Sequence, residues 1–313
     1  AYALCLEHEA HLEEAEDVLL TLIRVGGERL AASELVMTWL RLGRVRRMQS
    51  DFERAMEAYT EAGRRAGTTG DQESVLLSRI GRCNVLYFQG NLAEAEMEWR
   101  AVRADAAACR YRTGEAHAEH GLGTVLQRRG QPQEGAPHLW RAYELYEDEA
   151  ARLRVLNDLG NVLLSLGDVI SAEKALLQVV RRDKVVENVT NAMIELMHCA
   201  SFRHDRVSFE RWREQCLANM DEILPNVRAD YYLKVGIGLA RFGSYRNADT
   251  NVRQALEIAV SHGLHELVFR VERIRAGLQS CSALQCSEST TAEPVAWTEA
   301  LKEVSASLTS LSA

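Results

Sequence analysis

Small and large apolar residues recur as a fixed pair along this chain. A small residue stands four positions before a large one at Ala15 and Leu19, Ala55 and Tyr59, Ala95 and Trp99, and Gly135 and Leu139. The same happens at Ala172 and Leu176, Ser208 and Trp212, and Ala248 and Val252. The steps between successive small residues are 40, 40, 40, 37, 36 and 40. Positions four apart share one face of a helix, so each pair marks a helix with one closely packed side. Glycine punctuates the pattern at Gly90, Gly130, Gly167 and Gly243, where a left-handed residue ends a helix. The pattern predicts two antiparallel helices and a short turn in each of seven units. Self-similarity at such a period marks a helical solenoid, in which each unit packs only on its neighbours.

Composition supports helix over strand. Only four prolines occur in 313 residues, and no apolar-polar alternation joined by Asn-Gly or Asp-Gly suggests a hairpin. The fold class is therefore all-α. A chain of this length ordinarily makes about two domains, but a repeat array grows its core in one dimension.

The unit resembles the tetratricopeptide repeat. Trp39-Leu40-Arg41-Leu42-Gly43 carries the opening of that pattern, and Asp51-Phe52, Ala55, Tyr59 and Ala62 carry its second half. Leu159-Gly160, Gly167-Asp168, Ala172 and Leu176 repeat it, as do Val235-Gly236, Gly243, Tyr245, Ala248 and Ala255. Gly90-Asn91-Leu92, Ala95, Trp99 and Val102 form a third instance, and Leu122-Gly123, Gly130 and Gly135 a fourth. The period is longer than the usual 34 of that family, which implies helices about a turn longer. Arg46 stands where an aromatic is expected, and the unit around 190–219 matches poorly. The resemblance covers residues 1 to 262. It implies a right-handed α-solenoid, a superhelix of antiparallel helix pairs, of the kind found in bacterial signalling proteins and transcription regulators.

The ends read differently. Ala1 falls inside the first helix of its unit, which leads us to expect further sequence upstream. Leu264 to Leu278 is expected to be a closing helix, completing an array over 1–278. Residues 279–293 are rich in Ser, Thr and Ala and read as a flexible linker. Pro294 can open a last helix over 294–313. Its apolar positions are Trp297, Leu301, Val304, Leu308 and Leu311, in steps of four, three, four and three. Such a seam on a short helix needs a partner. It would dock on a repeat surface, as a helix in a groove, or self-associate with a second copy.

Charge and chemistry narrow the function. A net charge of -8 argues against a nucleic-acid partner. No apolar run approaches the length of a membrane span. Seven scattered cysteines without Cys-x-x-Cys spacing fit free thiols in a reducing, cytoplasmic compartment. His8 and His11, like His117 and His120, are three apart, whereas two metal ligands of a zinc-protease helix are four apart. Cys281 and Cys286 lack further ligands. No phosphate-binding loop or nucleophile elbow is present. We expect no metal, no cofactor, no catalytic residues and no enzyme.

The resemblance implies that the first helix of every unit lines a concave groove. Asn84, Thr124, Asn161 and Ile237 occupy equivalent groove places. His120 and Asn157 lie one turn earlier, and Arg47, Tyr87, Gln127 and Arg128 lie towards the other end. Asparagine both donates and accepts, so it can pair with a peptide backbone whatever its side chains. Arginine can hold a carboxylate through two parallel bonds. The family's lysine-rich clamp for terminal carboxylates is not reproduced. The expected function is a protein- or peptide-binding scaffold or sensor module within a larger bacterial signalling protein. The alternative is a structural, autoregulatory or oligomerisation module.

Overall fold

The computed structural model describes residues 2–8, 11–26, 29–220, 223–284 and 298–311. Among them there are sixteen helices and no strand. The chain is an all-α solenoid, and its helices form two compact units, 1–147 and 148–313.

The first unit holds four helix pairs. These are α1 (Tyr2–His8) with α2 (Leu12–Gly26), α3 (Ala32–Met48) with α4 (Phe52–Thr69), α5 (Gln72–Gln89) with α6 (Leu92–Ala108), and α7 (Arg112–Arg128) with α8 (Pro132–Leu145). The second unit holds three more. They are α9 (Glu149–Ser165) with α10 (Val169–Arg182), α11 (Val186–Phe202) with α12 (Arg206–Leu217), and α13 (Pro225–Arg241) with α14 (Tyr245–Ser261). Two further helices follow, α15 (His265–Leu284) and α16 (Glu299–Leu311).

Local chemistry sets the boundaries. Asp51, Asp71, Asp148, Asp168 and Asp205 each accept a hydrogen bond from the backbone N–H three residues on. Each thus satisfies one orphan donor of a helix start. Gly90, at φ 83°, ends α5, and the Asn91 N–H donates back to the Leu86 carbonyl at 2.9 Å. Ser50, Arg110 and His204 hold the corresponding left-handed place at turns without glycine, with φ of 63°, 56° and 55°.

The small-to-large pairs define the packing. Ala15, Ala55, Ala95, Ala172 and Ala248 are fully buried, and so are Leu139, Leu176 and Val252. Tyr59 lies between two glycines on flanking first helices. A Cβ added to Gly43 would sit 2.9 Å from its ring, and one added to Gly81 would sit 2.2 Å away. Trp99 meets Gly121 at the same 2.2 Å. One pair departs from the pattern. Ser208 and Trp212 are only half-buried, and Phe209 takes the core place beside Gly238.

One expectation for the C-terminal region changes. Helix α15 continues to Leu284, into the stretch read as linker. The described part of the last helix begins at Glu299; Pro294 and Trp297 lie outside the described residues. Leu301, Val304 and Leu308 are buried, and Leu311 is half-buried. Their helix rests on α10. The Ser171 and Ser305 hydroxyls are 2.6 Å apart, Lys174 Nζ donates to Thr309 Oγ1 at 2.9 Å, and Gln178 Nε2 donates to the Leu311 carbonyl at 3.4 Å. First helices touch one another along each unit, α3 to α5 to α7 and α9 to α11 to α13 to α15, whereas α10 touches the first helices beside it. Helix α16 thus docks on a repeat helix, and the helix it rests on is a second helix, α10.

Two measurements test this packing. Ala95→Trp overfills a tight crossing and should cost roughly 1–3 kcal/mol, against no more than about 0.5 for Glu94→Gln on the exposed face. Equal urea midpoints for the two variants would refute the register. Val304→Asp should release α16, so that amides of 301–311 exchange as in a coil while those of α9 and α11 stay protected. Protection in α16 that survives this change would show that the seam does not hold it.

Candidate functional site

The first helices carry every groove residue expected from the sequence. In the first unit, Arg47 lies on α3, Asn84 and Tyr87 on α5, and His120, Thr124, Gln127 and Arg128 on α7; all are half-buried. Several are engaged with one another. The Arg47 guanidinium lies 5.0 Å from the centre of the Phe88 ring, which meets Tyr87 edge-on at 5.3 Å. Arg128 lies 4.6 Å over the Tyr87 ring and donates to the Tyr87 carbonyl at 2.9 Å. Cation–π contact and a bond to a helix-end carbonyl thus lace these helix ends together. Thr124 Oγ1 donates to the Gly121 carbonyl at 3.0 Å. The His120 ring meets Tyr146 edge-on at 6.2 Å, and the Tyr146 hydroxyl is 2.8 Å from His117 Nδ1.

In the second unit, Asn157 and Asn161 lie on α9. Asn157 Oδ1 is buried without a hydrogen-bond partner. Asn161 is exposed at the edge of a cleft of about 220 Å³. Helix α9 also contributes Leu164 and Ser165 to its lining. Glu195, His198 and Phe202 come from α11, Leu233, Lys234 and Ile237 from α13, and Arg270 from α15.

A charged network forms the floor. Lys234 Nζ donates to Glu195 Oε1 and to Asp230 Oδ2, and the Arg270 guanidinium donates to Asp230 Oδ1. Burial pushes the Asp230 carboxyl up, but Lys234 and Arg270 outweigh it and hold the group at about 2. Burial leaves Glu195 above its ordinary value despite Lys234. Burial works against the Lys234 ammonium, yet Asp230 and Glu195 keep it above its usual range. Arg241 completes the cluster. It donates to Ser201 Oγ at 2.7 Å, stacks 3.6 Å from the centre of the Phe202 ring, and lies 3.4 Å from His198 Nδ1. Burial brings its pKa down to about 10. A guanidinium only donates, so His198 Nδ1 accepts, and the neutral ring carries its proton on Nε2. Burial first, then Lys234 and Arg241, hold His198 well below the usual 6.5.

None of these charged groups was singled out from the sequence, yet a signal was present. The bonded pairs Glu195–Lys234 and Asp230–Arg270 are 39 and 40 residues apart, one repeat length. His198 stands 37 residues after Asn161 and 39 before Ile237, in the same groove phase. The weak repeat match around 190–219 hid it. Among the described residues no three His, Cys, Asp or Glu side chains gather as metal ligands, and no helix is long and apolar enough to cross a membrane.

Neither the family models nor the curated proteins gave a match to this sequence. Solved structures did. The apo form of RapI superposes with a TM-score of 0.63 at 10% identity, over 84% of this chain and 74% of that one. The apo form of the quorum sensor NprR from B. thuringiensis gives 0.59 at 12% identity, over 89% and 85%. A tetratricopeptide repeat protein from Parabacteroides merdae gives 0.52 at 13% identity, over 87% and 96%. The fold is that of the tetratricopeptide-repeat proteins.

The half-buried histidine makes stability depend on pH. An unfolded chain binds a proton at His198 near pH 6.5 and the folded chain does not, so the fold weakens as pH falls through that value. The slope reaches at most about 1.4 kcal/mol per pH unit. His198→Gln lacks this component. The wild-type urea midpoint should therefore fall relative to the variant's between about pH 7 and 5. Parallel curves would mean that His198 takes up its proton alike in the folded and unfolded chains.

Proposed function

We propose that this chain is a protein- or peptide-binding scaffold or sensor module of a larger bacterial signalling or regulatory protein. It holds a partner segment on the side formed by its first helices. The observation that carries this reading is the cleft of the second unit. Three helices, α11, α13 and α15, fix its polar groups through ion pairs, next to apolar walls from Leu164, Leu233 and Ile237. Polar groups held rigid beside apolar surface suit recognition, because little freedom is lost on binding. The fold likeness to a quorum sensor agrees with a sensing role. Arg47, Asn84, Tyr87, His120, Thr124, Gln127, Arg128, Asn157 and Asn161 are the contact residues of this reading.

The module works in the cytoplasm and performs no catalysis. Burial pushes the Cys83 and Cys216 thiols up to about 12, so they stay protonated and inert. A second reading, a structural or autoregulatory module that packs on its own missing domain or a second copy, is favoured by one observation. Helix α16 is held on α10 by its own seam and could be exchanged for an equivalent helix.

A peptide display selection against the whole chain tests the first reading. Peptides so recovered should lose about tenfold or more in affinity when Asn84, Asn157 and Asn161 are all replaced by Ala, as read by fluorescence anisotropy. Unchanged affinity in a folded triple variant would remove these residues from the binding face.

A further inference from the structure

Helix α4 presents two rows of side chains to an open groove. Phe52, Met56 and Thr60 form one row, and Glu53, Glu57 and Glu61 the other. Residues four apart share a helix face, so an apolar and an acidic row lie side by side over roughly 12 Å. The groove has about 840 Å³, and Gln89 at the end of α5 supplies the rest of its lining. The apolar row is anchored from behind. Phe52 and Met56 pack on the core around Tyr59 and remain half-buried. The Thr60 hydroxyl donates to the Met56 carbonyl at 2.8 Å and is spent on its own helix.

The acidic row is not balanced. The lining holds three carboxylates and no cation. Glu61 is paired with Arg64 and Arg65. Glu53 and Glu57 are exposed and form no ion pair among the described residues. Arg54, their neighbour in sequence, is turned to Asp51 and Glu16. Glu53 suits the first turn of a helix, where the dipole favours an acid. Glu57 has no such reason. It stands four residues from a like charge on either side, which weakens a helix.

A helix fits this groove, because the chain already seats one on a neighbouring face of another second helix. Ala55 corresponds to Ala172 in the repeat, so Glu57 and Glu61 hold the places of Lys174 and Gln178. On α10 those two residues bond α16. Charge separates the two seats. Lys174 is positive where Glu57 is negative, and α16 carries Glu299 and Glu303 against a single Lys302. The α16 of a second copy would bring like charge to α4.

We propose that this face of α4 docks an amphipathic, positively charged helix of a partner protein, its apolar anchors on Phe52 and Met56 and its Lys or Arg side chains against Glu53 and Glu57. The surface lies on a second helix and is additional to the first-helix face of the proposed function.

The test uses the whole chain and three synthetic peptides of about 16 residues, long enough to become helical when bound. The first carries a stripe of Leu flanked by Lys. The second has Glu in place of each Lys. The third keeps the composition of the first but spreads its Leu around the helix. Fluorescence anisotropy reads affinity. The Met56 methyl signal in methionine-labelled protein, assigned by its loss in Met56→Leu, reads the place of binding. The first peptide should shift this signal saturably, and the other two should bind at least about tenfold more weakly. Glu53→Gln combined with Glu57→Gln, at two exposed positions, should weaken the first peptide about tenfold and flatten its salt dependence. Glu53→Lys combined with Glu57→Lys should reverse the preference between the first and second peptides. Equal binding of the first peptide and either control, or no saturation by about 1 mM, would overturn the proposal. So would saturable binding that leaves the Met56 signal unmoved. A peptide of residues 298–311 that binds at Met56 as tightly as the first would overturn it too, in favour of a second copy. Each of these results leaves the reading of the first-helix face standing.

Discussion

Everything in this chain depends on how closely a second helix can approach the first helices on either side of it. Tyr59 shows the constraint plainly. Its ring occupies the space that side chains on Gly43 and Gly81 would need. The buried Ala55 one turn earlier lets the same helix come in close. Large residue, small residue and glycine are thus parts of a single contact. Because an interior packs at near-crystalline density, that contact sets the register of each pair against the next. The first helices are in turn set side by side, which brings residues one repeat apart into bonding distance.

That juxtaposition explains the charged cluster of the second unit. Glu195 and Asp230 reach Lys234 and Arg270 across adjacent helices because repeat-length offsets become lateral contacts. Buried ion pairs of this kind are weak evidence of stability, since desolvation offsets much of the attraction. Their arrangement here is better understood as fixing side chains at the cleft. The first unit achieves a similar fixity with aromatic rings and arginines, Arg47 on Phe88 and Arg128 on Tyr87. The two units therefore offer different chemistry on their first-helix sides, aromatic rings stacked with arginines in one and an ion-paired cleft in the other.

Helix α16 follows another logic. It is amphipathic and short, and its apolar seam finds cover on α10, with Ser171, Lys174 and Gln178 bonded along its length. Its place on a second helix leaves the first-helix side of that unit open. Helix α16 and the cleft lined by α9, α11, α13 and α15 thus involve different faces of that unit's helices.

Much of the architecture was legible in the order of residues. The recurring pairs from Ala15–Leu19 to Ala248–Val252 located the second helices, because helical period and close packing leave a mark on every turn. The turns at Gly90, Gly130, Gly167 and Gly243 were equally plain, since a left-handed residue favours glycine. The seam Leu301, Val304 and Leu308 was visible too, as a pattern within one helix. Only tertiary structure decided what lies across from what. It put Phe209 in the core where the pattern pointed to Trp212, and it seated α16 on α10. It also drew His198, Glu195, Lys234 and Arg270 around one cleft. Periodicity specifies which face of a helix is turned inward, but a site needs side chains from several helices, and their meeting is set by packing between helices far apart in sequence.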